Sequence, residues 1–157
     1  MKSINFLKRL KKEGKLELVE PSNVISSSYI EKSESNLESA KILIESDKLE
    51  ESVSLAYYSM YHLLTSLLFK VGIKCENHTG SIIILKEIFG IDNKFILSSK
   101  KERVDKQYYV DFSITKEEVE EMIKETEDFN KILYDFIEKI SNETIKEYRE
   151  KLEKTLE

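Results

Sequence analysis

Residues 52–71 read SVSLAYYSMYHLLTSLLFKV, and their reading decides the fold. No Lys, Arg, Asp or Glu interrupts the run before Lys70, although 35% of the chain is charged. Neither Gly nor Pro occurs in it. At about 3.6 residues per turn, Val53, Tyr57, Met60, Leu64, Leu67 and Val71 share one helical face. Leu55, Tyr58, His62 and Phe69 fall on the others, so the segment is apolar nearly all round. Such a helix is enclosed by other helices or crosses a membrane. Ser52, Ser54, Ser59, His62, Thr65 and Ser66 weigh against a membrane span, which needs about 20 predominantly apolar residues. The segment is therefore expected to be the central helix of a bundle.

Composition agrees with that expectation. A chain of 157 residues suits one domain that buries about two-thirds of its unfolded surface. Four glycines and one proline leave few tight turns, which favours long helices over sheets. The net charge of -5 excludes a broadly basic surface, and with it non-specific binding to duplex DNA. Cys75 is alone and has no intrachain disulfide partner. The N-terminus carries Lys8, Arg9, Lys11 and Lys12 where a signal peptide would be apolar, so a cytoplasmic location is expected. Lys and Glu dominate the charge and Gln occurs only at Gln107, a thermophile-like bias.

The segments around the central helix supply its companions. Residues 1–21 form a short amphipathic helix, stopped by Gly14, and an extended linker ending at Pro21. Ser22 to Ser46 is helical, with Ile30, Leu37 and Ile44 at heptad spacing and serines that let another helix come close. Asp47 and Glu50 have the spacing of a capping box for the central helix. Gly72 ends that helix, and 73–77 reads as a loop. Asn77 or Thr79 caps a following helix, SIIILKEIF, closed by Gly90. Its run Ile82 to Leu85 also fits a short strand. An irregular helix is expected from Asn93 to Tyr109. Thr115 and Glu118 form a capping box, with Ile114 and Val119 as its hydrophobic staple. Val119, Met122, Thr126, Phe129, Leu133, Phe136 and Ile140 follow in alternating steps of three and four. The expected architecture is all-α: an antiparallel up-and-down bundle of four long helices with short helices at the termini. Its core spans 22–140, and 141–157 is a last helix.

Sites known from fixed motifs are missing: there is no Gly-rich phosphate loop, CxxC, HExxH or GxSxG. Two histidines without metal-ligand spacing predict no metal and no cofactor. His62 lies mid-helix as a core or groove residue. His78 falls at a helix N-terminus, where the dipole favours neutral imidazole. Beside Thr79 and free backbone amides it suits an anion such as a nucleotide phosphate, or simple capping. Tyr57, Tyr58, Tyr61, Tyr108 and Tyr109 form an aromatic group able to stack on bases or to fill a core. Tyr57 and Tyr61 sit on the buried stripe, and Tyr58 is the better groove residue. Arg103 offers bidentate geometry toward phosphate, or an ion pair with Glu102 or Asp105.

The words AYYSMYHLL and GIKCENHTGSI, followed by Arg103, Tyr108 and Tyr109 before a long final helix, resemble the HEPN domain family. A small prokaryotic branch that opens with a segment like LKRLKKEGKLE is the nearest in pattern. The likeness runs from about Ile4 to Ile140. It implies an up-and-down helical bundle and a homodimer. It also implies metal-independent RNase chemistry through an Arg-x4-6-His motif. A separately encoded minimal nucleotidyltransferase is the implied partner, with nucleotide or RNA as ligand. Here the motif reads Arg103 to Tyr108, so a tyrosine stands where the family has histidine. The tyrosine often found two residues further on is Val110 here. A phenol with a pKa of about 10 is a poor general base, and losing such a base costs ~10²–10⁴ in rate. The resemblance therefore implies a nucleotide- or RNA-binding module, non-catalytic or weakly catalytic. Arg103 and Tyr108 stand at its motif positions, with Tyr58, His62, His78, Thr79 and Tyr109 around the ligand. An RNase toxin of a toxin-antitoxin pair is the first alternative, and a structural dimer or adaptor without ligand the second.

Overall fold

A computed structural model describes residues 2–109 and 112–157, so Val110 lies outside the described residues. Three helices of 23 residues dominate: α2 (Asn23–Glu45), α3 (Leu49–Val71) and α6 (Lys116–Glu138). Shorter ones are α1 (Lys2–Lys12), α4 (His78–Glu87), α5 (Lys94–Ser98) and α7 (Asn142–Thr155). Among the described residues the chain is all-α apart from two three-residue strands, β1 (Leu16–Leu18) and β2 (Ile73–Cys75). Among the described residues no helix is long and apolar enough to cross a membrane.

The central helix is α3, and it is enclosed as its composition demands. Ser52, Ser59 and Ser66 are as buried as Val53, Met60 and Leu64. Those serines recur every seven residues and meet a matching series on α2. Ser26 and Ser66 are 2.8 Å apart through their Oγ atoms. Ser33 Oγ donates to Ser59 O at 2.6 Å while Ser59 Oγ donates back to Ser33 O at 2.8 Å. Ser52 Oγ donates to Ala40 O at 2.7 Å. Each step forward on α2 is an equal step back on α3, so the pair is antiparallel in fixed register. Small side chains bring the backbones close, and every buried hydroxyl in the seam finds a carbonyl or hydroxyl.

Helix α6 runs alongside in the same direction as α3. Asn130 Nδ2 donates to Ser59 Oγ at mid-length, and Lys70 Nζ donates to Ile137 O where both helices end. The capping box expected at Thr115 and Glu118 is present, with Ile114 packed on the core. The buried stripe is Val119, Met122, Ile123, Thr126, Phe129, Leu133 and Ile137. An unsupercoiled helix drifts against a seven-residue repeat; Ile137 accordingly replaces Phe136 and Ile140 at its end.

Between α3 and α6 the return leg is broken instead of being a fourth long helix. Asn77 caps α4 by accepting from Gly80 N at 2.8 Å. After α5 the chain widens into a π-helical stretch, Ser99–Val104, and then tightens into a 3-10 turn, Asp105–Tyr108. Asn93 Nδ2 donates to Ile82 O, and Gln107 Nε2 donates to Ser54 Oγ, fastening both ends of this leg. The irregular helix expected over 93–109 thus has three pitches.

Two expectations are corrected. Residues 16–18 and 73–75 are not free linker and loop. They pair antiparallel, with Leu16 opposite Cys75, Glu17 opposite Lys74 and Leu18 opposite Ile73. Three-residue runs far apart in sequence give no alternation to read, and only tertiary contact brings them together. The capping box at Asp47 is also absent. Lys48 N bonds to Leu43 O and Asp47 N to Ile44 O, closing α2 in a Schellman motif with Asp47 at φ 57°. The residue that ends α2 in a left-handed conformation cannot also cap α3; Lys48 takes the N-cap position without a side-chain bond.

Helix α7 locks this end of the molecule. Arg149 Nη1 donates to Val19 O at 2.7 Å, Gly72 O at 2.9 Å and Val71 O at 3.1 Å. One guanidinium therefore ties β1's exit to the C-terminus of α3, where a positive charge also suits the helix dipole. Gly72 (φ 84°) has no room for a side chain: a Cβ would lie 2.4 Å from Val19 O.

Candidate functional site

The site begins with the tyrosines of α3. Tyr57 and Tyr61, one turn apart, are 1% and 9% exposed and point at the start of α4. Gly80 lets that start sit close against α1, since a Cβ there would overlap Leu10 Cδ1. His78, at the first position of α4, lies over Tyr61, with ring centroids 3.8 Å apart and planes within 16°. Its Nδ1 is 3.1 Å from the Tyr57 hydroxyl. Tyr58 projects outward and meets His78 edge-on at 6.0 Å.

Opposite them stands the irregular leg. A groove of about 290 Å³ lies between, lined by Tyr58, His78, Thr79, Lys100, Asp105 and Tyr108 among others. Four of the expected residues, Tyr58, His78, Thr79 and Tyr108, are thus brought together. Three are not. His62 lines a different depression. Tyr109 is 71% exposed and outside the groove wall. Arg103 is half-buried beside Val104 but does not line the groove, and among the described residues its Nη1 has no hydrogen-bond partner. The ion pair considered for Arg103 is not made, because Glu102 takes Lys106 at 2.6 Å and Asp105 takes Lys100 at 3.4 Å.

Lys100 is the groove's cation, and the sequence reading missed it. The spacing of Lys100, Val104 and Tyr108 by fours was the available signal, since it puts all three on one face. Arg103 drew the reading away because of its residue type.

The protonation states follow from burial. Tyr57 is driven far above the ordinary phenol range, first by burial and then by Tyr61 and Tyr58, and stays protonated. His78 Nδ1 is the one hydrogen-bond partner this hydroxyl has among the described residues. A buried O–H needs an acceptor, so it donates to Nδ1 and leaves the His78 proton on Nε2. Burial, then Lys100, pushes the His78 pKa down against the opposing pull of Asp105, so the ring is neutral at pH 7. The groove offers one ammonium paired with the Asp105 carboxylate, one neutral imidazole N–H, the Thr79 hydroxyl and two tyrosine rings. That set suits an aromatic base with an attached phosphate. Among the described residues no three His, Cys, Asp or Glu side chains are placed to share a metal ion.

Fold and groove together define a helical-bundle domain with an aromatic cleft, carrying the Lys100–Asp105 ion pair, against its central helix. The chain belongs to the HEPN domain family, whose model matches residues 26–140. It is similar to the UPF0332 protein PH1297 of Pyrococcus horikoshii, 40% identical over 80 residues, which are 51% of this chain and 52% of that protein. It is also similar to MJ0605 of Methanocaldococcus jannaschii, which is named as a candidate toxin. That pair is 33% identical over 110 residues, 64% of this chain and 79% of the relative. The chain therefore spans about half the length of PH1297. No solved structure matches it.

Proposed function

We propose that this HEPN domain binds a nucleotide or the end of an RNA strand in the groove between α3, α4 and the irregular leg. It works beside a separately encoded nucleotidyltransferase and has little or no catalytic power of its own. The observation that carries the reading is the convergence of Tyr58 and Tyr108 with Lys100, His78 and Thr79. Weak catalysis follows from the same geometry. Tyr108, which stands where the family motif has histidine, brings no imidazole and is 84% exposed. The neutral His78 has its basic nitrogen occupied by Tyr57. The test is equilibrium binding of labelled ATP and short RNA to the purified protein and to Lys100→Ala. Micromolar binding that weakens about tenfold or more in the variant supports the reading; no binding at high micromolar concentration defeats it.

A second reading, a metal-independent RNase acting as a toxin, takes from the name of MJ0605 the toxin role alone. It calls for RNA cleavage that persists in EDTA and is lost in Arg103→Ala. Cleavage of that kind would replace the binding module with an enzyme.

A further inference from the structure

A second depression, of about 270 Å³, opens where α2, α3 and β2 meet. Tyr29, His62 and Phe69 line it, with Lys32, Lys74 and Glu76 around them. Tyr29 stacks on Phe69 at 5.8 Å with planes within 4°, and reaches His62 at 5.8 Å. His62 in turn lies 5.7 Å from Tyr58, which meets His78 at 6.0 Å. A chain of four rings therefore joins this depression to the groove without a gap. Tyr29, His62 and Tyr58 are all only partly buried, so each keeps part of its ring surface open to solvent.

The polar groups are specific about what they accept. His62 Nδ1 donates to Asn36 Oδ1 at 2.6 Å, which leaves Nε2 as an acceptor for a base amine. Burial, then Lys32 and His78, lowers its pKa to about 4, so the lone pair is free at neutral pH. Lys32 is exposed and forms no ion pair among the described residues, whereas Lys74 is held by Glu76 at 3.2 Å. One uncommitted ammonium beside a carboxylate favours a single phosphodiester over a polyphosphate.

We infer that single-stranded RNA whose end occupies the groove continues across α3 and stacks a second base on Tyr29 and His62, with Lys32 taking the phosphate between. This inference rests on the nucleotide-binding reading of the groove. Bases stack on aromatic side chains with little sequence preference, and such platforms commonly bind single strands.

The experiment compares binding of AMP and of a hexaadenylate to wild type, Tyr29→Ala, Tyr29→Phe and Lys32→Ala. The hexamer is expected to bind wild type about tenfold or more tighter than AMP. Tyr29→Ala should cost roughly five- to a hundredfold in hexamer affinity, while Tyr29→Phe, which keeps the ring, should not. Lys32→Ala, an exposed change that spares the fold, should reduce the slope of log affinity against log salt by ~0.7. AMP affinity should be the same in all four proteins. A hexamer that binds no tighter than AMP, or that ignores both Tyr29→Ala and Lys32→Ala, overturns the inference and leaves the groove reading standing. Tyr29-dependent hexamer binding that Lys100→Ala leaves unchanged takes the strand's end out of the groove and overturns the groove reading and this inference together. Failure to bind either ligand removes both.

Discussion

His62 gives a prediction that joins packing to pH. The folded state holds its imidazole neutral, with a pKa of about 4 against an ordinary 6.5. In the unfolded chain the same ring takes up a proton below about pH 6.5. Between those two values the unfolded state binds more protons, so stability falls as pH falls through this window and is fully present above it. At about 1.36 kcal/mol per unit, the whole shift corresponds to about 3 kcal/mol. The ring is half-exposed and solvent screens part of that, so about 1 kcal/mol is expected between pH 7.5 and pH 5. The control is His62→Gln, which is uncharged at both pH values and retains a donor for Asn36. Urea unfolding of both proteins at both pH values isolates the effect, because carboxylates and His78 titrate in each. Wild type should lose about 1 kcal/mol relative to the variant on acidification, or roughly 2–4 °C in melting temperature. Midpoints that fall in step, or a wild type that gains on the variant, would refute the assignment of a neutral, half-buried His62.

Other substitutions test the frame. Arg149→Ala leaves three carbonyls without their shared donor and should cost about 2–4 kcal/mol in urea unfolding, with Arg149→Lys intermediate. Gly72→Ala combines a left-handed backbone with a Cβ 2.4 Å from Val19 O, and should destabilise by about 3 kcal/mol or more. Ser33→Leu forces a large side chain into the seam where Ser33 and Ser59 exchange hydrogen bonds, and should cost about 3 kcal/mol or prevent soluble expression. Ser33→Ala, which only removes the hydroxyl, should cost about 1 kcal/mol.

What could be read from the sequence was what local chemistry determines. The all-round apolar run of α3, the Thr115–Glu118 box and the Asn77 cap each depend on neighbours within a turn or two, and each is present. The ribbon depends on Leu16 meeting Cys75, which no window of sequence contains. Asp47 was ambiguous because one residue stood at the end of one helix and the start of the next, and the αL closure won. In the groove, tyrosines and histidine announced themselves by type. Lys100 did not, because its importance comes from the face it shares with Val104 and Tyr108 on a helix of changing pitch.

That change of pitch makes the groove sensitive to length more than to identity. The π-helical stretch carries more residues per turn than an ordinary helix, and the following 3-10 turn takes some of that rotation back. Inserting one residue into 99–104, where the pitch is already at its widest, would rotate everything after it by about 100°. Tyr108 would then swing off the cleft while the core beneath kept its packing. Lys100 apart, this wall of the groove depends on the length of the stretch, and an inserted residue there would blind the site without unfolding the protein.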